Sequence, residues 1–182
     1  MYLPDADVDR TSLWQGDVIR DVQLVAAINL RGITHNTPVG GSEATSWTVS
    51  GKPLVGDAMV LSHSCELDRA NSVKVTSIIL APLRDINTAT APDKVEHLKS
   101  TNLLSVDGQK ESFLKYFVVE PTEHLFFTAG AVVDFSKCFS IRNQCYDFLL
   151  ARKVLQLRPD IRDAMALKLA LFFHRQAAAA TP

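Results

Sequence analysis

The chain has 182 residues, 47% of them hydrophobic and 21% charged, and 19 basic against 20 acidic side chains leave a formal charge of -1. That composition suits a single soluble domain with a core of its own, and the charge balance excludes attachment to nucleic acid by bulk charge alone. The apolar stretches fall short of the roughly 20 residues that span a bilayer, and Asp5 and Asp7 stand where a signal peptide needs basic residues. A cytoplasmic protein without a membrane partner is expected. Three cysteines, with no Cys-x-x-Cys pair, argue for reduced thiols rather than a disulfide framework.

Residues 1–13 read as a polar lead-in. Trp14-Gln15-Gly16-Asp17-Val18-Ile19-Arg20 begins the first strand, launched from a Gly-Asp turn, and residues 22–30 continue it or form a second. Residues 31–56, punctuated by Gly32, Pro38, Gly40-Gly41, Gly51-Lys52-Pro53 and Gly56, predict a long turn-rich insertion around one short strand at 46–49. Residues 58–62 are apolar on both faces and predict a central strand. The run at 73–80 predicts another, stopped at Pro82. A second insertion covers 86–112, with a short helix at 92–98 opened by Pro92.

Residues 113–119 and 124–128 read as two strands joined across Glu120-Pro121-Thr122. Residues 131–135 read as one more strand, and 138–147 as a strand or a turn. The period then changes. Ile161, Met165, Leu167, Leu169, Leu171 and Phe172 recur at roughly helical spacing after Pro159, which predicts a C-terminal helix over 159–175 and a disordered tail over 176–182. The expected fold class is therefore mainly β with a C-terminal helix (α+β): a small barrel over 14–157, with the insertions at 31–56 and 86–112, closed by the helix.

The densest chemistry follows the strand at 58–62, in Ser62-His63-Ser64-Cys65-Glu66-Leu67-Asp68-Arg69. A strand that ends in such a loop holds reactive groups on a rigid support. His63, Glu66 and Arg84 are the candidate catalytic residues: a base, an acid and a cation suffice to cleave RNA through its 2′-hydroxyl without a metal. Ser62, Ser64, Cys65, Asp68 and Arg69 complete the candidate surface. No cofactor is expected. The alternative metal set is His63, Cys65, Cys138 and Cys145, because zinc needs at least three protein ligands. Cys65 could also serve as a nucleophile with His63 as its base. His35, His97, His124 and His174 carry weaker signals, and Trp14 and Trp47 read first as buried aromatics.

Several segments resemble the MazF/PemK-like family of bacterial toxins. They are the Gly16-Asp17-Val18 start, Ala58-Met59-Val60-Leu61-Ser62, Ile78-Ile79-Leu80-Ala81-Pro82-Leu83, Val132-Val133-Asp134-Phe135-Ser136 and Leu155-Gln156-Leu157. The resemblance implies an SH3-like barrel, a toxin–antitoxin or defence setting, endoribonuclease activity, an RNA substrate, an antitoxin or other protein partner, and a homodimer. It also shows two departures. Family members carry an Arg before the Val-Leu-Ser strand and a Ser or Thr after the next strand's Pro; here Gly56-Asp57 and Leu83-Arg84 occupy those places. A non-catalytic module that binds a protein or a ligand on the same barrel is the competing expectation.

Overall fold

The structure is a computed structural model and describes residues 1–28, 34–36, 46–48, 51–67, 76–100, 102 and 114–179. The chain divides into two compact units, residues 1–22 with 57–182, and residues 23–56. Nine strands appear among the described residues: β1 (Val18–Ile28), β2 (Thr34–Asn36), β3 (Ser46–Thr48), β4 (Gly51–Val60), β5 (Ser77–Asp85), β6 (Tyr116–Val119), β7 (Ala131–Asp134), β8 (Phe139–Arg142) and β9 (Lys153–Leu155). The helices are α1 (Ser64–Leu67), α2 (Ile86–Ala89), α3 (Val95–Ser100), α4 (Tyr146–Leu150) and α5 (Pro159–Ala179).

Seven strands form one sheet in the order β6-β7-β5-β4-β1-β9, with β8 also paired to β5. β2 and β3 pair separately within the second unit. The protein is thus mainly antiparallel sheet followed by a C-terminal helix, as its patterning predicts. The six-stranded path runs from β6 to β9, and among the described residues no pairing between these two end strands closes it into a barrel.

Several boundaries differ from the sequence expectation for identifiable reasons. Residues 14–17 form a turn, and the first strand begins only at Val18 and then runs unbroken to Ile28. Gly51-Lys52-Pro53, expected as a turn, opens β4, which neighbours β1. β5 does not stop at Pro82 but continues to Asp85. The backbone N and O of Ile79 both face β4, so alternation turns the nitrogen of Pro82 to the opposite edge. On that edge β8 pairs only as far as Leu80 and β7 starts at Leu83, so the missing N–H breaks no ladder bond.

Residues 124–128, expected as a strand, are turns and bends; β6 pairs directly with β7, from Tyr116 opposite Asp134 to Val119 opposite Ala131. Leu125 is still buried, as a plug from the connection rather than a strand residue. The stretch at 138–147 resolves into β8, a 3₁₀ turn and the start of α4. Helix α5 extends to Ala179, beyond the expected end at 175. The beginning of the strand expected at 73–80, residue 113, and much of both insertions lie outside the described residues.

β6 and β7 are buried on both faces, and their alternation separates two cores. Phe117, Val119, Ala131 and Val133 join Val18, Met59, Leu61, Leu83, Leu155, Met165 and Phe172 in the main core. Val118 and Val132 face the other way and pack with Ile86 and Leu98 of α2 and α3. Asn102 locks that second layer in place: its side chain donates to Val118 O at 2.6 Å and accepts from Val118 N at 2.8 Å.

Candidate functional site

β4 delivers the reactive cluster. Leu61 N–H donates to Ile79 O, and the buried Ser62 hydroxyl accepts from Ile79 N–H at 2.8 Å. Ser62 therefore secures the strand end to β5, and its oxygen faces that strand. The chain then turns into α1, whose first turn closes on His63 O through Glu66 N–H and Leu67 N–H. His63, Cys65 and Glu66 are exposed, Ser64 is half-buried, and Leu67 anchors the turn in the interior.

Within this turn His63 and Cys65 meet. The imidazole Nδ1 lies 2.9 Å from Cys65 Sγ and 3.3 Å from Cys65 N, whose N–H points at it. A backbone N–H can only donate, so Nδ1 is the acceptor and the proton of the neutral ring is assigned to Nε2. Cys65 and Ser64 form one wall of an open cleft of about 410 Å³, faced by Ser12, Leu13 and Trp14.

That facing wall leads at Trp14 into the Trp14-Gln15-Gly16-Asp17 turn, and the residues there have distinct tasks. Gln15 ties the two walls together: its backbone N–H donates to Ser64 Oγ at 3.2 Å and its Nε2 to Leu61 O at 2.8 Å. Gly16 adopts φ +88°, and a Cβ there would stand 2.7 Å from Leu157 Cδ1. Trp14 donates from its indole to Asp9 Oδ2 at 2.8 Å, and the Arg162 guanidinium lies 5.1 Å from the indole centre. Leu13 N–H donates to the Tyr146 hydroxyl at 2.9 Å.

Asp17 is the anchor. Its carboxylate accepts from Lys153 Nζ at 2.7 Å and from Trp14 N–H at 2.7 Å, with both members of the ion pair fully buried. Lys153 also donates to Ser12 O at 3.1 Å, so β9 holds both ends of the wall. Burial pushes the Asp17 carboxyl up to about 7 despite the ammonium beside it, and burial also lowers Lys153 against the pull of Asp17. At this depth desolvation outweighs mutual attraction for both partners. Burial raises the Asp9 carboxyl too, but hydrogen bonds from Trp14 and Thr11 outweigh it and hold Asp9 at about 2. Trp14 is therefore clamped by an anion over the whole ordinary pH range.

The structure brings His63, Ser64, Cys65 and Glu66 onto one turn at the cleft. Arg84 is placed elsewhere, opposite Val132 in the β5–β7 ladder, with NH1 3.8 Å from the buried Asp134. Arg84 lies five positions along β5 from Ile79, where the strand before His63 docks, or about 17 Å along an extended chain. Cys138 and Cys145 flank β8, and no group of three or more His, Cys, Asp or Glu is gathered as a metal site among the described residues. Asp68 and Arg69 lie outside the described residues.

Sequence reasoning missed Ser12, Leu13, Asp17 and Lys153, and it read Trp14 first as core. The Gly-Asp turn was the available signal, but it marks a strand start equally well. No helix among the described residues is long and apolar enough to cross a membrane. In comparisons with known proteins, the chain matches no family model and no curated protein.

Proposed function

We propose that this protein is a binding module of the MazF/PemK-like, SH3-like type, and that it takes an unpaired aromatic group of its ligand, a nucleobase of single-stranded RNA, in the cleft between Trp14 and Cys65. The observation that carries the reading is the construction of the cleft. A volume of about 410 Å³ falls in the range of small-ligand sites. One wall offers Leu13 and an indole held by Asp9, and the other offers the polar groups of Ser64 and Cys65. An aromatic platform with a guanidinium 5.1 Å from its ring centre, here Arg162, suits base stacking without bulk positive charge.

The second reading is metal-independent RNA cleavage at the same cleft, in the toxin–antitoxin setting that the family resemblance implies. It is favoured by the exposed His63 and Glu66 on the turn that carries Ser64 and Cys65, an imidazole and a carboxylate of the kinds that exchange protons with a 2′-hydroxyl. In this reading the cation is supplied from outside the Arg84–Asp134 pair.

Titration with a single-stranded RNA oligonucleotide, followed by tryptophan fluorescence and by gel, separates the two. Binding predicts a saturable fluorescence change that Trp14→Phe abolishes, with the oligonucleotide intact. Cleavage predicts discrete products that His63→Ala reduces by about 10²-fold or more. An unchanged spectrum together with intact RNA would reject both.

A further inference from the structure

We infer that Cys65 is a site of reversible thiol–disulfide exchange with small disulfides, and that the mixed disulfide formed there closes the cleft. The inference rests on the cleft being the ligand site, and it adds a control of that site. Two independent observations carry it. Cys65 Sγ lies 2.9 Å from His63 Nδ1, which accepts and is thus free of a proton of its own. The same thiol lines the mouth of the open cleft beside Ser64 and across from Trp14, so an incoming molecule has room to reach the sulfur.

The chemistry needs only the groups present. As Sγ attacks one sulfur of the small disulfide, its proton passes to His63 Nδ1. The Sγ–S bond forms, the old S–S bond breaks, and the departing thiolate takes the proton from His63 and leaves as a thiol. The disulfide itself is the oxidant. Acyl transfer, by contrast, demands two or more preorganised donors around a developing oxyanion. The Cys65 N–H is directed at the imidazole instead. The adduct stands where the proposed base enters, so exchange and ligand binding exclude one another. Reduction by a free thiol restores the site.

The full chain contains its own reference. Cys138 is also exposed, and no histidine bonds to it among the described residues. Treatment with oxidised glutathione, quenching at intervals and peptide mass mapping give each thiol's rate. Cys65 is expected to react at least about tenfold faster than Cys138. In His63→Ala the two rates should converge while the Cys138 rate stays as before, which also reports an intact fold. The glutathionylated protein should lose its fluorescence response to RNA and regain it with a reducing thiol.

Equal rates at Cys65 and Cys138, or a Cys65 advantage that survives His63→Ala, overturns the proposal. The rates are measured without RNA. A protein that never binds RNA therefore refutes the binding reading, while the ranking of thiols still decides the exchange chemistry.

Discussion

At the scale of single residues, the buried Asp17–Lys153 pair holds one wall of the candidate cleft. Each partner loses hydration that their contact only partly replaces, so the pair serves placement more than stability. Asp17→Asn leaves the Lys153 ammonium buried without an anion. That variant should lose about 3 kcal/mol of unfolding free energy, measured by urea denaturation, and should shift the tryptophan emission as Trp14 is released. Asp17→Asn combined with Lys153→Met should recover most of the stability. A double variant no more stable than the single one would show that the pair is not the anchor of this wall.

At the scale of elements, the Trp14–Asp17 turn matters more than any strand. It depends on Gly16, whose left-handed backbone and close approach to Leu157 leave no room for a side chain. Gly16→Ala should cost about 2–4 kcal/mol, the sum of a left-handed residue and a crowded contact. It should also weaken ligand binding more than a core substitution of equal cost, such as Leu155→Ala. Binding that falls equally in both variants would place the effect in global stability.

The elements were unevenly legible. Val22, Met59, Val60 and Ile78 announce their strands through apolar runs, and the recurrence of Ile161, Met165, Leu167, Leu169, Leu171 and Phe172 announces α5, although Leu167 is exposed. The connection at 124–128 mimics a strand because the buried Leu125 and the partly buried Phe127 face the core without a ladder. Pro82 reads as a stop, yet it sits in a gap between β8 and β7 that only the sheet order creates.

At the scale of the whole molecule, displaced ionisations shape the response to pH. Asp17 titrates in the folded state near 7, above its unfolded value of 3.8. Between these values only the folded state holds the proton, so stability falls as pH rises through that window. Lys168 sits fully buried on the inner face of α5 with Met165 and Phe172, and burial lowers it to about 8 from 10.5. Between 8 and 10.5 only the unfolded state holds that proton, so stability rises there, and Lys153 is displaced in the same direction.

Unfolding free energy should therefore be lower at about pH 7.5 than at about pH 5.5 or 9.5, by an amount on the order of 1–3 kcal/mol. Denaturant curves at the three values check this. Lys168→Met should shrink the alkaline rise, and Asp17→Asn should flatten the acid limb. A curve unchanged by either variant would mean that both groups keep their ordinary ionisation.

The sequence by itself determined the class of the fold, strands followed by a C-terminal helix, because apolar runs and helical period record the type of each element. It also marked the turn after Leu61 as the candidate site, since few stretches gather imidazole, thiol and carboxylate so closely. Only the tertiary structure decided which residues share a site. Pairing across β1, β4, β5 and β9 sets Trp14 opposite Cys65, seats Asp17 on Lys153 and takes Arg84 away to Asp134. Such contacts join residues dozens to more than a hundred positions apart, and local patterning carries no record of them.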